Sequence, residues 1–97
     1  MGRVAIPGAK RQRYRFEIWA DVLEGICEQR SQPGPLRTSR VRSQANLPHD
    51  RFWDHVEQMA ELGLLDDGDE LELTPHGRRF IDDVDDVANK LARYGLA

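Results

Sequence analysis

Histidine and cysteine, the residues that most often supply catalysis or metal binding, are few in this chain. There are three histidines, His49, His55 and His76, and one cysteine, Cys27. Their spacing matches neither a metal site nor a nucleophile paired with a base, and the glycines form no phosphate-binding loop. The sequence therefore predicts no enzyme, no cofactor, no metal and no small-molecule substrate. Cys27 falls on the apolar stripe of a predicted helix, which favours a small buried residue.

Arginine offers a second kind of chemistry, the binding of anions, and its distribution is uneven. Residues 1–42 hold nine basic and four acidic side chains, or +5, whereas residues 43–97 carry −8. This asymmetry predicts a flexible basic N-terminal arm at residues 1–13, with Arg11 and Arg13, and a basic second helix beside an acidic C-terminal half. A solvated tail without a partner explains the arm equally well. The excess of Arg and Asp over Lys resembles the composition of proteins from salt-loving archaea.

One small domain must position these residues. A chain of 97 residues with 39% hydrophobic content has too little volume for both a core and a deep catalytic cleft. Its apolar runs are too short to span a membrane, and residues 1–15 lack the apolar segment of a secretory signal. A cytoplasmic protein without a membrane partner is therefore expected.

Helical periodicity predicts a helix near each end of the domain. The first runs from about Tyr14 to Gln29, and the prolines and glycine of residues 31–35 stop it. The last is capped by Thr74 and opened by Pro75, since proline suits the first helical position.

Residues 39–65 predict two short helices around a tight turn. Ser39 can cap the second helix, Val41 and Ala45 supply its buried face, and Asn46 tolerates a turn conformation before Pro48 opens the third helix. The third helix has an apolar stripe of Phe52, Val56, Met59 and Ala60, which leaves Arg51, Trp53, Asp54, Glu57 and Gln58 outside.

A short hairpin is predicted after the third helix. Gly63 ends that helix, and Leu71 and Leu73 alternate with acidic residues as in a strand with one buried face. Asp67-Gly68 is expected at the turn.

The predicted order of helix, helix, helix, hairpin and helix is that of a winged helix-turn-helix, a mostly α, α+β fold. The sequence resembles small archaeal winged-helix regulators of the ArnR1-like type and related chromatin-type proteins that add a coiled-coil helix. The resemblance covers about residues 14–95. It implies a DNA-binding domain at residues 14–78, acting in transcription regulation or as a chromatin-type protein. The matching motifs are Ser39-Arg40-Val41, Ala45-Asn46-Leu47, Gly63-Leu64-Leu65 and Thr74-Pro75-His76-Gly77-Arg78-Arg79-Phe80.

The resemblance also implies which residues would contact double-stranded DNA. The third helix of such proteins enters the major groove, so His49, Arg51 and Trp53, with Asp50 and Asp54, fall near base edges. The guanidinium of Arg51 could bond both acceptors of one guanine, a contact worth about 1–3 kcal/mol of discrimination. Backbone contacts are expected from the second helix and from the arm, specifically from Arg37, Arg40, Arg42, Ser43, Gln44, Arg11 and Arg13.

Acidic residues oppose this interpretation and leave a second one open. Asp50, Asp54 and Glu57 would face phosphate with the wrong charge, as would the four acidic residues at positions 66–70. A very salty cell interior would screen the repulsion. Alternatively, the chain has lost DNA binding and its acidic third helix docks a basic protein through Trp53. A third interpretation packs Trp53 over the wing or the first helix.

The last helix carries a pattern typical of helix pairing. Five apolar residues step by four, three, four and three, and Ile81 and Ala88 widen the stripe. This predicts a homodimer formed through residues 79–97, although a monomer whose last helix covers its own core would use the same stripe. The five residues are Phe80, Val84, Val87, Leu91 and Tyr94.

Overall fold

The computed structural model describes residues 14–95, and these form four helices and one two-stranded antiparallel sheet. This confirms a mostly α, α+β protein. The helices are α1 (Arg15–Arg30), α2 (Thr38–Gln44), α3 (His49–Glu61) and α4 (Pro75–Ala92), and the strands are β1 (Leu65–Asp66) and β2 (Glu72–Leu73).

Helix α1 lies at the centre of the fold and contacts α2, β2 and α4. Its side chains Val22, Leu23 and Ile26 are fully buried, because the other elements cover the apolar stripe on several sides. Cys27 lies at the edge of that stripe and is half-buried, so the expectation of a buried cysteine is wrong. The same core cluster also contains Val41, Ala45, Leu47, Phe52, Val56, Met59, Leu64, Leu65 and Leu71.

The starts of α1 and α2 differ slightly from the predicted positions. Tyr14 occupies the N-cap of α1, and its backbone N–H donates to the Glu17 carboxylate at 3.1 Å. Arg37, not Ser39, occupies the N-cap of α2, because its carbonyl accepts the first helical hydrogen bonds, from the N–H groups of Arg40 and Val41. The predicted cap at Ser39 is therefore wrong.

The turn between α2 and α3 follows the prediction closely. Asn46 has a φ of 57°, in the left-handed region that asparagine adopts more readily than most residues. The backbone N–H of Leu47 reaches back to the carbonyl of Arg42 at 3.1 Å, and Leu47 itself is buried. Pro48 then occupies the N-cap of α3. The third helix buries Phe52, Val56 and Met59, as its periodicity indicates, while Ala60 and Gln58 are half-buried.

The connection between the two strands of the hairpin is longer than the predicted two-residue turn. Strand pairing joins Leu65 to Leu73 and Asp66 to Glu72, which leaves five residues, 67–71, in the connection. Leu71 is buried in the core, and this burial draws the end of the connection inward. Gly68 is at the bend as expected, with its N–H donating to Asp66 Oδ1 at 3.0 Å.

The junction between the hairpin and α4 depends on Thr74 and Gly77. Thr74 caps α4, since its hydroxyl accepts the N–H of Gly77 at 3.0 Å and donates to the carbonyl of Gly63. Gly77 is buried, and a Cβ there would overlap the carbonyl oxygen of Leu64 and lie 3.0 Å from its carbon. The threonine and glycine of the T-x-x-G motif thus bring α4 against the backbone that leads into β1.

Candidate nucleic-acid interface

Most of the predicted DNA contacts on α2 and α3 are exposed side chains. Arg42 is half-buried, and Arg11 and Arg13 lie outside the described residues. The exposed residues are Arg37, Arg40, Ser43, Gln44, His49, Arg51 and, at 38% exposure, Trp53.

The exposed face of α2 is polar and positively charged. Ser39, Arg40, Ser43 and Gln44 follow a spacing of one, three and one, which places them on one side of this short helix. Arg42 lies elsewhere, and its Nη1 donates to the carbonyl of Leu47 at 3.5 Å, a long contact across the turn. Arg42 therefore lies against the turn, whereas Arg40 is exposed.

The outward face of α3 is acidic along its whole length. Asp50, Asp54, Glu57 and Glu61 are spaced by four, three and four and are all exposed, opposite the buried stripe of the same helix. Within residues 14–95, Asp54, Glu57 and Glu61 form no ion pair. Arg51 lies beside this row of carboxylates rather than within it.

Trp53 lies on the flank of α3 opposite Arg51. Its ring packs edge-on against Phe52, with centroids 5.0 Å apart, and also lies 6.3 Å from the ring of His49. Both neighbours belong to α3, so these ring contacts are not with the hairpin or α1. The exposed part of the indole borders the acidic row.

The hairpin is also acidic, but one of its charges is engaged within the domain. Arg30 Nη1 pairs with Glu70 Oε2 at 2.8 Å, and Arg30 Nε donates to the carbonyl of Leu71 at 3.2 Å. The second oxygen of Glu70 accepts the N–H of Leu36 at 3.4 Å. Glu70 thus links the hairpin to the end of α1 and to the loop before α2. No local sequence pattern indicates this link, since Arg30 and Glu70 are 40 residues apart.

Helix α3 is held against α1 by a polar contact as well as by the core. Trp19 Nε1 donates to His55 Nδ1 at 2.9 Å. A histidine nitrogen that accepts a hydrogen bond carries no proton, so this contact requires a neutral ring. His55 itself is half-buried.

The apolar stripe of α4 divides between the core and the surface. Val84 is buried, and Phe80 is half-buried with its ring 6.3 Å from that of Trp19. Leu91 is half-buried, and Val87 is 47% exposed. Tyr94, 79% exposed, lies in the turn after α4, so its predicted place on the last helix is wrong. The proposed boundary between residues 78 and 79 falls inside α4, which is one continuous helix.

Comparison with known proteins gives no match to any family model, to any curated protein or to any solved structure. Across residues 14–95, no helix has the length and apolar character needed to cross a membrane. The same residues contain no group of three His, Cys, Asp or Glu side chains placed to hold a metal ion.

Proposed function

We propose that this protein is a winged helix-turn-helix that binds double-stranded DNA in the cytoplasm and acts in transcription regulation or DNA packaging. The observation that carries the proposal is the α2–turn–α3 unit, in which the left-handed Asn46 joins a short polar helix to an amphipathic one. The hairpin and α4 follow in the order that the wing and last helix would require. Because winged helices serve many tasks, the proposed contacts matter more than the fold.

The proposed DNA contacts are concentrated on α2 and on the first turn of α3. Arg37 and Arg40 bind phosphates, and His49 and Arg51 approach base edges from the start of α3. If α3 entered the major groove along its whole length, Glu57 and the carboxylates on either side of it would approach the phosphates of the DNA backbone. The approach is therefore by the N-terminal end of α3, where Arg51 lies beside the acidic row.

High salt makes this arrangement physically reasonable. The screening length falls from about 10 Å at 0.1 M to about 3 Å at 1 M salt. Carboxylates that lie more than a few ångströms from a DNA phosphate would then weaken DNA binding only slightly. Contacts made directly by arginine would retain more of their strength, and the acidic surface would keep the protein soluble.

A dimer is the second part of the proposal. A second copy could cover Val87 and Leu91 of the α4 stripe together with Tyr94 in the turn after α4, because Val84 is already inside the core. Two copies would present two α3 helices to successive turns of DNA. Light scattering should give twice the mass of one chain, and the double change Val87→Ser with Tyr94→Ser should give monomers that remain folded. A wild-type protein that scatters as one chain would refute the dimer.

A second candidate function rests on the acidic row of α3. Asp50, Asp54, Glu57 and Glu61, with the exposed part of Trp53 beside them, make a surface that suits a basic protein segment. In this alternative the winged helix is a protein-interaction module and does not bind DNA.

Titrations of the purified chain with labelled random-sequence duplex DNA and with a lysine-rich peptide separate the two candidates. DNA binding predicts that the duplex binds and that Arg40→Ala weakens it on every sequence. Arg51→Ala should instead weaken binding at one base position. The interaction module predicts peptide binding that is lost on Asp54→Asn with Glu57→Gln, and no binding to the duplex. Equal losses on all sequences for both arginine changes would refute base reading by Arg51.

A further inference from the structure

A polar groove lies between the end of α1 and the exposed face of α2. It contains side chains of both helices and of the turn after α1. None of its lining residues is acidic, although the chain has 17 acidic residues. Two other grooves, which share Cys27 and Arg78, do contain carboxylates. The lining residues are Gln29, Gln32, Ser39, Arg40, Ser43 and Gln44.

Gln29 distinguishes this groove from an ordinary polar surface. Gln29 as a whole is only 7% exposed, yet its side-chain amide forms no hydrogen bond with the protein in the part of the chain that the structure describes. In the part of the chain that the structure describes, no fully buried side-chain N or O atom lacks a hydrogen-bond partner, so the amide of Gln29 is the part of this side chain that stays accessible. This accessible part of Gln29 lines the groove, so a molecule seated there could supply a hydrogen-bond partner.

A close approach of the two helices forms the groove. Gly25 and Gln29 are four residues apart on the side of α1 that faces α2, and Gln32 follows in the turn after α1. Gly25 has no side chain, and a Cβ there would lie 3.1 Å from Val41 Cγ1 and 3.5 Å from Gln44 Oε1. The amide oxygen of Gln44 therefore lies over Gly25, and Gln44 lines the same groove as Gln29.

The donors of the groove suit a phosphate group. Three amides and two hydroxyls donate hydrogen bonds, and Arg40 adds a full positive charge. A phosphate has several acceptor oxygens and can use donors from more than one direction, and charge-assisted bonds to arginine are the stronger kind. The C-terminal end of α1 carries only a partial negative charge, which is smaller than the charge of Arg40.

We propose that this groove binds a phosphate group, with Gln29 and Arg40 as its principal contacts. The assignment deepens the proposed function and, for the source of the phosphate, rests on it: the phosphate is one of the DNA backbone. It adds Gln29, Gln32 and Ser39 to the contacts predicted from the sequence. Inorganic phosphate presents the same chemistry without DNA.

Nuclear magnetic resonance of the full chain tests this directly through the side-chain amide signals of Gln29, Gln32 and Gln44. Inorganic phosphate and a random-sequence duplex are titrated in separate samples. Both should shift these signals. Arg40→Gln should weaken phosphate binding about tenfold, the loss expected for one charge-assisted contact. Arg78→Gln, an exposed arginine outside the groove, should change it little.

The outcomes separate failure of the groove from failure of DNA binding. Shifts with phosphate but no binding of the duplex would support the groove, assign it to a free phosphate-containing ligand and refute the proposed function. A duplex that binds while neither titration moves these three amides would overturn the groove and leave DNA binding intact. Gln29→Leu should abolish the phosphate shifts in the other two amides. An unchanged phosphate affinity in both Gln29→Leu and Arg40→Gln would refute the assignment.

Discussion

Gly77→Ala should destabilise the fold more than a glycine-to-alanine change in a helix ordinarily does. Gly77 is buried in the first turn of α4, and the added methyl group would overlap the backbone carbonyl of Leu64. Backbone cannot rotate away as a flexible side chain can. The start of α4 must therefore move outward, away from the hydrogen bonds of Thr74 to Leu64 and Gly63.

Three contributions set the expected magnitude. Overpacking of this kind costs roughly 3 kcal/mol, at the upper end of its usual range. A weakened hydrogen bond adds about 1 kcal/mol, and the better helix propensity of alanine returns up to about 1 kcal/mol. The net loss in unfolding free energy is then about 3 kcal/mol, which lowers the melting temperature of a domain this size by at least about 12 °C.

Urea denaturation and thermal melts followed by circular dichroism would measure this loss. Gly68→Ala is the matched control, because Gly68 is exposed in the hairpin connection and a Cβ there meets only Asp66 Oδ1 at an ordinary 3.4 Å. It should change stability by less than about 0.5 kcal/mol. If Gly77→Ala is as stable as this control, the close approach of α4 to Leu64 is wrong.

Three further predictions concern single contacts of the fold, each measured by urea denaturation. Thr74→Ala removes the cap of α4 and should cost about 1–2 kcal/mol; a loss below that of a surface change would contradict the capping role. His55→Leu leaves the Trp19 N–H without its acceptor and should cost about 1–3 kcal/mol, with a change in tryptophan fluorescence. Unchanged stability and emission would argue against that hydrogen bond. Asn46→Val should cost about 1–2 kcal/mol because a β-branched residue resists positive φ, whereas Asn46→Gly should be nearly neutral; equal losses would point away from the left-handed turn.

Features that depend on neighbouring residues could be predicted from the sequence. The stripe of Phe52, Val56 and Met59 repeats with the helical period, so the buried face of α3 was predictable. The cap at Thr74 and the left-handed Asn46 follow from the conformational preferences of single residues. The exposure of Arg40 on α2 follows in the same way once Val41 is assigned to the core.

Features that depend on contacts between distant segments could not be predicted. The pair of Arg30 and Glu70 joins residues 40 apart, and no local pattern distinguishes Glu70 from the other acidic residues of the hairpin. Gln29 looks like a polar residue near a helix end until α2 packs beside it. The division of the α4 stripe is similar, since only the position of α1 decides that Val84 is buried and Val87 exposed.

The dependence of DNA affinity on salt tests the proposed function most directly. A labelled random-sequence duplex is titrated with the wild-type chain, Arg40→Gln and Arg78→Gln from about 50 mM to about 1 M KCl. The proposal predicts that the wild-type chain binds and that the logarithm of its binding constant falls linearly with the logarithm of salt concentration. Arg40→Gln should reduce the magnitude of that slope by about one for each bound copy of the chain, because each copy loses one phosphate contact. Arg78→Gln should leave the slope unchanged. Absence of binding across the whole range, or equal slopes for all three proteins, would contradict DNA binding through α2.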